Sequence, residues 1–179
     1  MLTSRVKSRP EFLADIPACD PRQVRVVVLM GGDSAEREVS LMSGREVAKA
    51  LREAGFQVRP VDLDPTRVAS LAELDFDVAF IALHGTFGEY GNLQRQLDDM
   101  GILYVGSPPQ ASRDAMDKVV AKEIFLGAGL PTPPWQVVGK GDAAAAATAY
   151  QSLGPDVVVK PIDEGSSLAV TLADSAAEY

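Results

Sequence analysis

Short apolar runs alternate with segments of helical period through most of the chain. Val24–Met30 is a short, β-branched apolar run closed by Gly31-Gly32, the pattern of a strand buried on both faces. Val39, Val47, Ala50, Leu51 and Ala54 then recur at helical spacing, and Gly55 follows as a C-terminal stop. Gln57–Leu63 reads as the next strand. A β–loop–α–β unit of this kind implies parallel strands joined by a crossover. Asp77–Leu83 is another buried strand, Leu93, Leu97 and Met100 mark one face of a helix, and Leu103–Val105 is a short strand ending at Gly106-Ser107.

A helix is expected from Asp117 to about Gly127, after which Pro131, Pro133 and Pro134 break the chain as domain boundaries often do. Beyond them the pattern predicts a strand at Trp135–Val138, an Ala-rich helix from Ala143 to Leu153, and strands at Val157–Lys160 and Leu168–Leu172. A further helix begins at Asp174. Residues 1–22 carry Pro10, Pro17 and Pro21, show neither period, and read as an irregular extension. The expected division is thus 1–22 extension, 23–117 an α/β open-sheet domain with parallel strands, and 118–179 the beginning of a separate α+β unit.

Composition narrows the function classes. Hydrophobic residues make up 46% of the 179, enough to bury a core. Lys and Arg number 17 against 25 Asp and Glu, a net charge of −8. An acidic chain without a Lys/Arg-rich run has no electrostatic footprint for nucleic acid or an anionic membrane surface. A single cysteine, Cys19, excludes an internal disulfide and a Cys-based zinc cluster. The apolar runs are far short of a membrane span, and Glu11 and Asp15 interrupt the N-terminal stretch where a signal peptide would need an unbroken one. A cytoplasmic protein acting on a small molecule is the default.

Ligands of open α/β sheets bind beyond the carboxyl ends of the strands, and four polar loops fall at such ends: Gly31–Ser40, His84–Gly91, Gly106–Ser112 and Pro161–Ser167. In the first, Asp33 and Glu36 place carboxylates at a helix N-terminus, where they would repel a pyrophosphate and attract an ammonium group. The same residues, with Ser34, also suit a helix cap. In the second, the only histidine, His84, leaves a buried strand and enters a loop with three glycines, placed either for structure or for a ligand. Lys118 opens a helix where a cation disfavours the dipole, which suits an anion partner or a solvated surface lysine. Lys160 ends an apolar strand, where packing explains a lysine poorly. The Gly165-Ser166-Ser167 loop after it offers N–H groups and hydroxyls for a phosphate, or a flexible hairpin tip. Neither G-x-G-x-x-G nor a Walker loop occurs.

Taken in order, GGDSAEREVSLMSG (31–44), HGTFGEYGNLQ (84–94), YVGS with AMDKVVAK (104–122), GLPTPPW (129–135) and VVKPIDEGSS (158–167) resemble the D-alanine–D-alanine ligases of the ATP-grasp superfamily. The resemblance covers roughly residues 24–172. It implies a Rossmann-like, pre-ATP-grasp parallel-sheet domain followed by the start of an incomplete α+β ATP-grasp domain. It further implies that two D-alanines are joined through D-alanyl phosphate for peptidoglycan precursor synthesis, with ATP and Mg2+ or Mn2+. By it, Glu36 holds the ammonium group of the first D-alanine and His84 lies near that substrate. Lys118 and Lys160 contact ATP phosphates, the loop Glu164, Gly165, Ser166, Ser167 closes over them, and Ser166 links Glu36 to the lid of the site. A homodimer is common in the family.

Two departures stand out. Gly88-Glu89-Tyr90-Gly91 replaces the usual G-E-D-G, putting a phenol where an acid is common. Ser166-Ser167-Leu168-Ala169-Val170 replaces S-S-x-G-V, so a backbone conformation open to glycine is expected to be closed at Ala169. Such ligases continue for well over a hundred further residues, which supply the acidic metal ligands. The 179-residue chain alone is therefore expected not to ligate D-alanine. The alternatives are a non-catalytic remnant or D-amino-acid-binding module of the same family, a ligase forming D-alanyl-D-lactate or D-alanyl-D-serine, and another ATP-grasp enzyme such as a carboxylase subunit. A Rossmann dehydrogenase lacks its fingerprint here.

Overall fold

The computed structural model describes residues 19–165 and 169–173. Of the expected extension, residues 1–18 lie outside the described residues. Pro21–Gln23 is ordered as one 3-10 turn, because the Asp20 carboxylate accepts the Arg22 N–H. The helix expected at Asp174 and the loop serines Ser166 and Ser167 also lie outside.

Four strands, β1 (Arg25–Gly31), β2 (Gln57–Leu63), β3 (Val78–Ile81) and β4 (Tyr104–Val105), form a sheet in the order β2-β1-β3-β4. All its pairs are parallel, with Leu29 level with both Val61 and Ile81. The apolar run of β1 is buried on both faces as its composition predicts. Val26, Val28 and Met30 pack on α1 (Arg37–Glu53) through Leu41 and Ala48. Val27 and Leu29 face the opposite way, into Val68 and Leu71 of the 3-10 segment Pro65–Glu73 and Leu93 and Leu97 of α3 (Asn92–Asp99). Leu93 and Leu97 are wholly buried, so truncating either to alanine is expected to cost about 2–5 kcal/mol.

Helix α1 ends where Gly55 predicts. The Phe56 N–H reaches the Leu51 carbonyl at 3.0 Å and the Gly55 N–H that of Arg52 at 2.9 Å. This closure needs the positive φ of +97° at Gly55. Gly44 lets α1 sit directly on β1, since a methyl there would stand 2.5 Å from Met30 Cβ.

Four segments differ from the sequence reading. The loop expected at His84–Gly91 contains a helical turn, α2 (Gly85–Glu89), and the loop at Gly106–Ser112 gives way to α4 at Pro109 (Pro109–Met116), where a proline suits a helix start. Helix α5 (Lys118–Gly127) begins at the predicted place, with the Asp117 carboxylate accepting the N–H groups of Val119 and Val120. Trp135–Val138 is not a strand. Residues 131–139 have no regular structure, because a strand exists only through its ladder. Among the described residues the ladder there is a single antiparallel pair, β5 (Val157–Val159) with β6 (Thr171–Ala173). Strand β6 thus starts later than the expected Leu168. The Ala-rich helix α6 (Ala143–Leu153) has the predicted limits, capped by Asp142 onto the Ala145 N–H.

Candidate functional site

The sheet order places β1 beside β3, with the segment after β1 turning to one face and the segment after β3 to the other. A crevice opens at such a point, outside the carboxyl ends of the strands. Residues 31–36 and 84–90 meet there as two walls in contact, the Ser34 hydroxyl donating to the His84 carbonyl at 3.1 Å.

Arg37 shapes the first wall. Its guanidinium donates to both Asp62 oxygens, at 2.8 and 2.6 Å, and to the Gly32 carbonyl at 3.0 Å. That pair holds the Asp62 carboxyl below the usual range. The Ser34 hydroxyl accepts the Glu36 N–H at 3.2 Å in the turn before α1, and no side chain caps the helix itself. The Glu36 side chain makes no cap hydrogen bond to α1, and Asp33 is exposed. Glu36 is half-buried and turned across the crevice, so that a methyl on Gly85 would stand 3.9 Å from its Oε2.

The second wall carries His84. Its Nδ1 lies 3.5 Å from Glu89 Oε1, while Glu89 Oε2 accepts the Gly85 N–H at 3.0 Å. His84 Nε2 is buried without a hydrogen-bond partner among the described residues, and a buried polar nitrogen left so needs an explanation such as an unseen ligand. Two carboxylates and an imidazole thus border one crevice, an environment that attracts a cation carrying hydrogen-bond groups. Glu89 was missed from sequence. Its place four residues after Gly85 on a helical turn would have revealed it, had that turn been foreseen.

Tyr90 ends α2. Burial, and then the charges of Asp163, Glu164, Glu89 and Asp117, push its phenol above the usual range. The substituted residue therefore stands among carboxylates from both parts of the chain.

The lysines gather elsewhere. Lys118, Lys122 and Lys160 line a cleft of about 180 Å3 with Trp135, Val138 and Val158. Lys118 is neither a bare surface lysine nor wholly open to an anion, because its ammonium donates to the carbonyls of Ile162 at 3.2 Å and Glu164 at 2.7 Å. It thereby fastens the base of the 162–165 loop to the start of α5. Lys122, not singled out from sequence, bonds Thr132 Oγ1 and the Pro133 carbonyl. Lys160 is exposed, which corrects the expectation that packing leaves it unexplained. Ala169 adopts φ +52°, so the glycine-type conformation expected to be closed is taken up despite the side chain. Gly165 is described, next to Met116, whereas Ser166 and Ser167 are not.

The described residues bring together no group of three or more His, Cys, Asp or Glu side chains able to hold a metal ion, so no step through a metal can be built from them. No described helix is long and apolar enough to cross a membrane.

Residues 25–72 match the family model described as D-ala D-ala ligase N-terminus. The D-alanine–D-alanine ligase of Desulforudis audaxviator (strain MP104C) is 46% identical over 150 residues, which span 84% of this chain and 49% of that protein. The chain is related to the N-terminal half of the D-alanine–D-alanine ligases. The crystal structure of the Bacillus anthracis D-alanine–D-alanine ligase superposes with a TM-score of 0.74 at 33% identity, covering 87% of this chain and 51% of that one. The same ligase complexed with ATP gives a TM-score of 0.67 at 32% identity, over 85% and 50%. This chain thus spans about half the length of the ligases it matches, and its parallel-sheet domain is theirs in fold.

Proposed function

We propose that this chain supplies the first-substrate site, and part of the ATP phosphate site, of an ATP-dependent D-alanine–D-alanine ligase. The observation that carries the reading is the convergence of Glu36 and His84 on one crevice at the carboxyl edge of the sheet. The Glu36 carboxylate holds the ammonium group of D-alanine, and His84, oriented by Glu89, lies beside that substrate. Lys160 and Lys118 meet the phosphates of ATP, and the Glu164–Ser167 loop, fastened at its base by Lys118, covers them.

In the reaction, a carboxylate oxygen of the first D-alanine attacks the γ-phosphorus and ADP leaves. The amine of the second D-alanine then attacks the acyl carbon of the D-alanyl phosphate. Phosphate leaves with the acyl–oxygen bonding pair, the amine gives up a proton, and the dipeptide remains. This chain's share is positioning and charge: a carboxylate for the ammonium, and lysines for the charge on the transferring phosphoryl group.

Calorimetric titration tests the reading. D-Alanine is expected to bind the 179-residue chain more tightly than L-alanine, and Glu36→Gln to abolish the preference. Equal binding of the enantiomers, or none, would overturn it. The chain alone is expected to form no D-alanyl-D-alanine from ATP and D-alanine, and detection of the dipeptide would refute that. Sedimentation reads the homodimer.

A further inference from the structure

Two serines stitch the wall after β1 to the wall after β3, and they differ in depth. Ser40 is fully buried: it accepts the Gly31 N–H at 2.9 Å and donates to the Ala82 carbonyl at 2.7 Å. Ser34 repeats the arrangement at the rim. Its hydroxyl donates to the His84 carbonyl at 3.1 Å and accepts the Glu36 N–H at 3.2 Å. One oxygen therefore joins the backbones of the two residues that face the crevice. The approach is close enough to need glycine opposite, since a Cβ on Gly85 would stand 2.6 Å from Ser34 Cβ. Gly85 also has φ +78°, which glycine adopts readily.

We infer that Ser34 is a positioning residue of the first-substrate site. Its hydroxyl sets the spacing between the Glu36 carboxylate and the His84 imidazole before substrate arrives, while Ser40 below it serves the fold. This rests on the function proposed above. A hydroxyl bridging two loops removes their relative motion, and each ångström of misplacement weakens a ligand held from both sides.

The chain has a single histidine, so the imidazole resonance of His84 is read without overlap by NMR. In Ser34→Ala, D-alanine affinity is expected to fall about tenfold, on the scale of one lost hydrogen bond. The His84 resonance should move and the Glu36 amide should exchange faster, with the thermal midpoint nearly unchanged. Ser34→Thr, which keeps the hydroxyl, is expected to restore all three. Ser40→Ala should instead lower the thermal midpoint. Wild-type affinity in Ser34→Ala overturns the inference, and so does a loss of affinity that Ser34→Thr fails to restore. Should the unaltered chain bind no D-alanine, the proposed function fails, and an unmoved His84 resonance with unchanged Glu36 exchange in Ser34→Ala would then overturn the inference separately.

Discussion

Glu89 grips His84 from both sides of one peptide, with Oε1 3.5 Å from the imidazole Nδ1 and Oε2 accepting the N–H of the next residue, Gly85, at 3.0 Å. The same carboxylate therefore orients the ring and closes the first turn of α2. Glu89→Ala is expected to destabilise the protein by about 1 kcal/mol, a modest figure because both side chains are partly exposed. The Gly85 amide should exchange faster in that variant. Glu89→Gln keeps an acceptor for Gly85 and should leave that exchange slow. Urea melts and amide exchange of the two variants check this.

Acid sensitivity should reside at the opposite end of the strands. Asp77 accepts the Arg25 N–H at 2.8 Å and pairs with the Arg25 guanidinium at 2.6 Å. The Arg25 hydrogen bonds hold the carboxyl down at about 2. A carboxyl whose folded value lies below its unfolded one, about 3.9, contributes stability that is present above that unfolded value and lost as pH falls through the folded one. The thermal midpoint of the unaltered chain is therefore expected to fall more steeply between about pH 4 and pH 2 than that of Asp77→Asn. Parallel slopes would show that the pair contributes nothing.

Ala169 holds φ +52°, a region where a side chain costs roughly 1–2 kcal/mol. Ala169→Gly relieves that strain but adds freedom to the unfolded chain. A net gain of about 0.5–1 kcal/mol is expected in denaturant melts. An unchanged or lower midpoint would contradict the strain.

Burial, and then the charges of Asp163, Glu164, Glu89 and Asp117, raise the affinity of the Tyr90 phenol for a proton. A neutral ring is tolerated among those charges, whereas Tyr90→Asp adds another anion. That variant is expected to lose on the order of 1 kcal/mol at low ionic strength, with the loss shrinking as salt screens it. Stability curves at two salt concentrations distinguish this from the loss of ring packing alone, which salt would not reverse.

What the amino-acid sequence determined by itself is the set of elements whose cause is local. The β-branched run at Val24–Met30, the Gly55 stop after α1, the limits of β2 and the Ala-rich helix at Ala143–Leu153 depend on neighbours a few residues away, and each lies within a residue of where its pattern places it. The positions of Glu36 and His84 just beyond the carboxyl ends of β1 and β3 were legible for the same reason, whereas the helical turn at Gly85–Glu89 was not.

Only the tertiary structure decided what long-range partners control. Trp135–Val138 has the composition of a strand but no ladder, so it forms none. Lys118 reads as a phosphate ligand or a surface charge, and no local pattern shows that its ammonium also donates to the Ile162 and Glu164 carbonyls, more than forty residues away. Ser34 could have capped its helix without touching His84. That it joins the two walls of the crevice depends on β1 and β3 lying side by side, and backbone hydrogen bonds between parallel strands, which no local pattern records, put them there.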